Sequence, residues 1–242
     1  NFDTRNHPTA HAGITCTVCH AITHVNSTKG NADYTIEEPV HYPFSKSDNS
    51  ILKFINRQMV KAKPEFHKKT FLKELHKTPE FCSTCHKVSL PFELNHYKEW
   101  LRGQNHYDNY HLSGVSGHGV RSFYYPPKAV GDCNQCHMPL KDSNDFGADF
   151  FSGKDNGLQV HDHLFHGANT AIAHIRNKPD IVKAHQDFLK DSVVVEIFGI
   201  KEEGKVDGKL IAPIRPKIPS LKSGKEYLLE VVVRTMKVGH LF

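Results

Sequence analysis

The chain has 242 residues, 38% of them hydrophobic, and its 31 Lys+Arg against 26 Asp+Glu leave a formal net charge of +5. No apolar run approaches the ~20 residues of a membrane-spanning helix, and the mean hydropathy of −0.51 suits a chain that folds in water. The length allows one large domain or two smaller ones.

Residues 1–50 scatter Asn, Thr, Pro and Gly and read as irregular chain around a first Cys-x-x-Cys-His unit, Cys16-Thr17-Val18-Cys19-His20. Over 50–63, Ile51, Ile55, Met59 and Ala62 recur near helical period until Pro64 ends the run. A second helix is expected over 65–77, with Phe66, Phe71, Leu72 and Leu75 as its apolar set. It leads to a second unit, Cys82-Ser83-Thr84-Cys85-His86. A third helix is expected over 91–103, opened by proline and closed by glycine. Residues 104–132 are rich in Gly, Tyr, His and Ser and lead to the third unit, Cys133-Asn134-Gln135-Cys136-His137. A fourth helix over 179–191 carries Ile181, Ala184, Phe188 and Leu189 on one face. After it the period changes: 193–200 reads as a buried strand, 202–208 as a turn and 226–233 as another strand.

All six cysteines fall into the three units. That spacing is the attachment signature of c-type haem, in which two thiols add across the porphyrin vinyl groups and the adjoining histidine reaches the iron. With 19 histidines in 242 residues, a His follows a given Cys-x-x-Cys by chance about 8% of the time, and three times running about once in 2,000. A zinc ribbon wants two knuckles roughly 15–20 residues apart, whereas 62 residues separate Cys19 from Cys82 and 47 separate Cys85 from Cys133. A thioredoxin-like motif is single, and a disulfide framework leaves the three histidines unexplained. Cys16, Cys19, Cys82, Cys85, Cys133 and Cys136 are therefore expected to hold three haem c groups, with His20, His86 and His137 as iron ligands. The expected fold is mostly α and irregular haem-wrapping chain with little regular structure, plus a C-terminal sandwich-like β region. The expected domains are a trihaem domain over 1–191 and a haem-free, incomplete β region over 192–242.

Haem changes the charge reading. Two propionates per group lower the total to about +2 with ferric and about −1 with ferrous iron. The basic excess thus neutralises propionates, and nucleic acid is not an expected partner. Covalent haem attachment takes place outside the cytoplasm, which points to the periplasm or the cell exterior. Three motif histidines leave 16 others, against three methionines, for the far side of each iron, so bis-histidine iron is expected. His24 shares a helical face with His20 and cannot cross its own porphyrin. His11, five residues before Cys16, is better placed for a neighbouring haem. Val160-His161-Asp162-His163-Leu164-Phe165 offers two histidines pointing the same way. The stretch 96–125 holds His96, His106, His111 and His118, which hydrogen-bond propionates or, for His118, reach iron. His41, His67, His76, His174 and His185 read as surface residues or propionate partners.

These residues resemble a family of extracytoplasmic multihaem c-type cytochromes, within the superfamily that contains the tetrahaem carriers of nitrifiers and hydroxylamine oxidoreductase. The resemblance is carried by His11-Ala12-Gly13-Ile14-Thr15-Cys16, Phe81 to Lys87, Cys136-His137-Met138-Pro139, His163 with Gly167-Ala168-Asn169, and Gly239-His240-Leu241-Phe242. It implies His11, His163 and His240 as distal iron ligands. Larger members carry further haems upstream, which fits the start at Asn1. The C-terminal strands are too few to close a core, so the protein is expected to continue beyond Phe242. The function expected is electron transfer between redox proteins or further subunits, in a homo- or hetero-oligomer. The alternatives are an oxidoreductase acting on a small nitrogen or sulfur compound at a five-coordinate haem, served by His106, His118, Arg121, Tyr124 and Tyr125, and a subunit of a haem filament.

Overall fold

The computed structural model describes residues 3, 6–9, 13–97, 101–120, 127–151, 153 and 156–241. Short helices and small antiparallel ladders alternate through it. The chain forms two compact units, Asn1–Phe165 with Gly239–Phe242, and His166–Val238.

In the first unit the three Cys-x-x-Cys-His segments are all helical. They are α1 (Cys16–His20), the last turn and a half of α4 (Pro79–His86), and α7 (Asn134–His137), which Cys133 caps with φ −70° and ψ −30°. Each helix ends at the motif histidine. Positions i, i+3 and i+4 share one helical face, so the spacing alone sets both thiols and the imidazole on the same side. Isolated turns this short are marginal in water; α4 gains a Pro at its first turn and Thr78 as cap, whose hydroxyl accepts from Phe81 N.

The helix α2 (Ser50–Ala62) forms where the apolar period places it, with the Asn49 side chain accepting from Ile51 N and Leu52 N. The expected helix over 65–77 is two pieces, α3 (Pro64–Phe71) and a 3₁₀ turn (Glu74–Lys77), because Leu72 turns extended and the freed chain end is taken by the first motif. His20 Nδ1 donates to Phe71 O at 2.6 Å, and Lys73 Nζ donates to His20 O at 2.5 Å. The expected helix over 91–103 shrinks to α5 (Phe92–Asn95). His96 adopts a left-handed φ of 52°, and the Asn95 side chain closes back on Leu90 O and Pro91 O.

Three ladders tie this unit together. β1 (Ile22–Val25) pairs with β2 (Tyr34–Ile36), β3 (Lys87–Ser89) with β4 (Arg102–Asn105), and β5 (Leu140–Asp142) with β6 (Gln159–His161), all antiparallel. β4 leads directly into α6 (His106–Leu112), whose Asn105 side chain accepts from Asp108 N. The first and second motif segments meet at residues 30–32: Asn31 N donates to Lys87 O at 3.1 Å and Ala32 N to Thr84 O at 2.7 Å. Gly30 makes this approach possible. Its φ is +85°, and a Cβ there would lie 1.9 Å from Lys87 O. Gly30→Ala is expected to destabilise the protein by about 2–3 kcal/mol, combining left-handed strain with a backbone clash, read as a lower urea midpoint with unchanged slope.

The second unit contains α8 (Thr170–Ile175), α9 (Pro179–Leu189) and a three-stranded antiparallel sheet ordered β8-β7-β9, from β7 (Val193–Glu202), β8 (Leu210–Ile211) and β9 (Tyr227–Thr235). This compact unit begins at His166, upstream of the composition change after Asp191. α8 packs on α9, α9 runs through Ser192 into β7, and Met236 N returns to Ser192 O. A sandwich would need a second sheet; among the described residues this unit holds one. Its strands keep Val195 and Val233, cross-strand partners, 66% and 64% exposed. Gly199 marks a register shift in β7, where a Cβ would lie 2.9 Å from Ala212 Cβ.

The apolar core is small throughout. Among the described residues, Ala21, Ile22, Tyr110, Ala148, Ala173 and Ile200 are the buried hydrophobics. Large apolar side chains stay exposed, among them Ile14, Val18, Leu90 and Leu140 within four residues of a motif or inside it, and Phe92, Leu112 and Leu241. No helix among the described residues is long and apolar enough to cross a membrane.

Candidate functional site

The three motif helices converge. Cys82 and Cys133 lie against one another: Cys133, then desolvation, pushes the Cys82 thiol up, while the interaction with Cys82 pulls Cys133 down against desolvation. Desolvation also raises Cys19, with Cys85 and Cys16 near enough to add to the shift. α4 thus lies between the other two motifs. All six cysteines are free thiols, and in each motif one is exposed: Cys16, Cys85 and Cys136. Such unpaired thiols, aligned along a helix face, are the form that adds across a vinyl group to give a thioether.

The histidines are arranged around them in pairs. Two imidazoles on opposite sides of one iron, each nitrogen about 2 Å from the metal, hold their ring centres about 6 Å apart. His20 and His163 have ring centres 6.2 Å apart at an interplanar angle of 37°. His137 and His240 are 5.8 Å apart at 17°, and His86 and His106 are 5.8 Å apart at 31°. The hydrogen bonds leave the correct nitrogen open. His20 Nδ1 donates to Phe71 O, His163 Nδ1 to His161 O at 2.8 Å, and His240 Nδ1 to Leu241 O at 2.8 Å, so Nε2 of each carries the lone pair. Desolvation, followed by the neighbouring imidazoles, lowers the pKa values of His86 and His106, which keeps both rings in the neutral form that binds metal.

His163 and His240, which the resemblance implies as distal ligands, are the rings in two of these pairs, opposite His20 and His137. His240 reaches the first unit because the tail packs under Gly239, whose missing Cβ would meet Tyr110 Cδ2 at 3.5 Å and Val115 Cγ1 at 3.7 Å. His11, Arg121, Tyr124 and Tyr125 lie outside the described residues. His118 is exposed and packs against His111, with ring centres 4.5 Å apart, and against Tyr110. His76 and His185 are not surface residues. His76 packs edge-on against His20 at 4.8 Å, and desolvation, then His20, lowers its pKa to about 4. His185, 4% exposed in the second unit, accepts from Gly167 N at 3.1 Å.

The donor set fits a haem: paired thiols on a helix face with an imidazole beside them, and a second imidazole about 6 Å from each motif ring. Among the described residues no group of three or more His, Cys, Asp or Glu is arranged to hold a metal ion alone, but a porphyrin supplies four of the iron's six bonds and asks only two of the protein. The exposed apolar side chains near the motifs are of the kind a porphyrin covers. No protein-family model matches the chain, and neither a curated protein nor a solved structure is similar to it.

Proposed function

We propose that the chain is a multihaem c-type cytochrome that carries electrons between redox partners through three covalently bound, bis-histidine haems. One observation carries the reading: each motif histidine has a non-motif imidazole 5.8–6.2 Å from it, the separation that one iron between two rings requires. Bound haem supplies a one-electron Fe(III)/Fe(II) couple. The chain's own residues would attach it, orient the imidazoles of His20, His163 and His240 through Nδ1–H to backbone carbonyls, and set how far the sites lie from one another. Its place is the periplasm or the cell exterior, where thiols and haem are joined, and its partners are redox proteins or further subunits. This cytochrome has the resemblance described above to carriers within a superfamily of multihaem proteins.

A second reading, an oxidoreductase acting on a small nitrogen or sulfur compound, draws on a separate group of proton donors. Tyr107 O–H donates to Glu80 at 2.9 Å, and His111 Nε2 lies 3.8 Å from the same carboxylate, with His118 beside it. One set of measurements separates the two. The carrier is expected to show an intact mass with three haems added and a purely low-spin ferric spectrum that cyanide and nitric oxide leave unchanged. A high-spin signal that shifts with either ligand would decide for the oxidoreductase, and an unmodified mass would end both.

A further inference from the structure

We propose, resting on the three-haem reading, that His106 is the iron ligand opposite His86 in the second unit. The placement follows from strand register. β3 starts immediately after His86 and β4 ends immediately before His106, and the antiparallel pair Lys87↔Asn105 brings the two ends together. The motif histidine and the first residue of α6 thus share one end of a short ladder, although 20 positions separate them.

The position is braced. The ammonium of Lys87, a side chain 8% exposed, pairs with Asp108 at 2.8 Å, one turn into α6. Arg102 pairs with the second oxygen of the same carboxylate, and the Asn105 side chain also donates to it at 3.0 Å. Lys87 additionally lies 5.3 Å over the Tyr107 ring. These contacts fix α6 against the end of α4. The Gln104 side-chain amide sits 3.3 Å from His86 Nδ1 and 3.2 Å from His106 Nδ1. With iron at Nε2 each ring keeps its proton on Nδ1, and the amide, turned by half a turn about its last torsion, offers its oxygen to accept it. Gln104 is then a positioning residue for both ligands.

The other imidazoles within reach are committed elsewhere. His86, His106, His240 and His137 form a row with ring centres 5.8, 4.7 and 5.8 Å apart. The two motif histidines stand at its ends, and each has a different inner neighbour. His106 and His240 are too close to sit across one iron, so each serves the motif at its own end. His118 packs against His111 at 4.5 Å, also short of that separation.

The test uses the full chain, matured with haem and verified by mass to carry three. His106→Ala is expected to convert one ferric haem from low to high spin, by absorption and electron paramagnetic resonance, with the haem count unchanged. His118→Ala is expected to leave all three low-spin. An unchanged spectrum in His106→Ala, or a high-spin haem in His118→Ala, overturns the assignment. If the alanine variant does not accumulate, His106→Met retains an axial ligand. It is expected to add a thioether–iron charge-transfer band and to raise one midpoint potential, and a spectrum identical to the parent's overturns the assignment equally. Failure of the parent chain to bind haem covalently would instead remove the three-haem reading on which the assignment rests.

Discussion

Made without haem attachment, the chain is expected to lose its cooperative fold. The described residues bury six hydrophobic side chains, and three of those are alanines. Large apolar groups stand uncovered, including Ile14 at 75%, two residues before the first motif, Phe92 at 52% and Leu112 at 68% exposure. Covering a side chain of this size contributes about 1.5–3 kcal/mol. Five of them therefore account for roughly 10 kcal/mol, as much as the whole stability of an ordinary domain. Without porphyrin to cover them, that stabilisation is missing while the ordering entropy of a long, loop-rich chain remains. The apoprotein is expected to unfold over a broad range of urea, to bind hydrophobic dyes and to lack fixed near-ultraviolet dichroism. The haem-bearing protein should show a sharp transition in the same experiment. A sharp transition in the apoprotein would mean that the polypeptide makes its own core.

His163→Ala is expected to turn one haem from low to high spin while three haems stay attached. The expectation is tied to the first motif, since the His163 ring is 6.2 Å from that of His20 and its Nδ1 is held by His161 O. His76 is the competitor. Its ring lies closer to His20, at 4.8 Å, which is short of the separation of about 6 Å that an iron between the two rings requires. A His76→Ala variant should therefore keep all haems low-spin, and the contrast between the two variants is the measurement. If His163→Ala remains fully low-spin and His76→Ala does not, the distal nitrogen at the first motif comes from the 3₁₀ turn.

Much of the local structure was legible in the residues. Ile51, Ile55 and Met59 mark α2, and Ile181, Ala184 and Phe188 mark α9, because a one-sided apolar period is a property of the segment itself. The runs that became β7 and β9 were legible as strands, but the burial expected over 193–200 is confined to its end at Gly199 and Ile200, with Val195 and Ile197 exposed. The break at Leu72 was not, because it depends on His20 and Lys73 meeting across 53 positions. His96 ended α5 early through a left-handed turn that neighbouring residues favour and an apolar pattern does not report. Two-residue β8 is too short to carry any period at all. His106 was visible as one histidine among several in a polar stretch, with nothing in its spacing to separate it from His111 or His118.

By itself the sequence determined what each motif is: cysteines at i and i+3 with histidine at i+4 share a helix face wherever the helix forms, since 3.6 residues make a turn. It also determined that no cysteine is left over. Which imidazole faces which motif was decided only by the tertiary structure. The register of Lys87 against Asn105, the return of Gly239–His240 onto Tyr110 and the turn that holds His163 beside His20 are contacts between residues far apart in the chain. Such pairings follow from loop closure and packing, which no local spacing encodes.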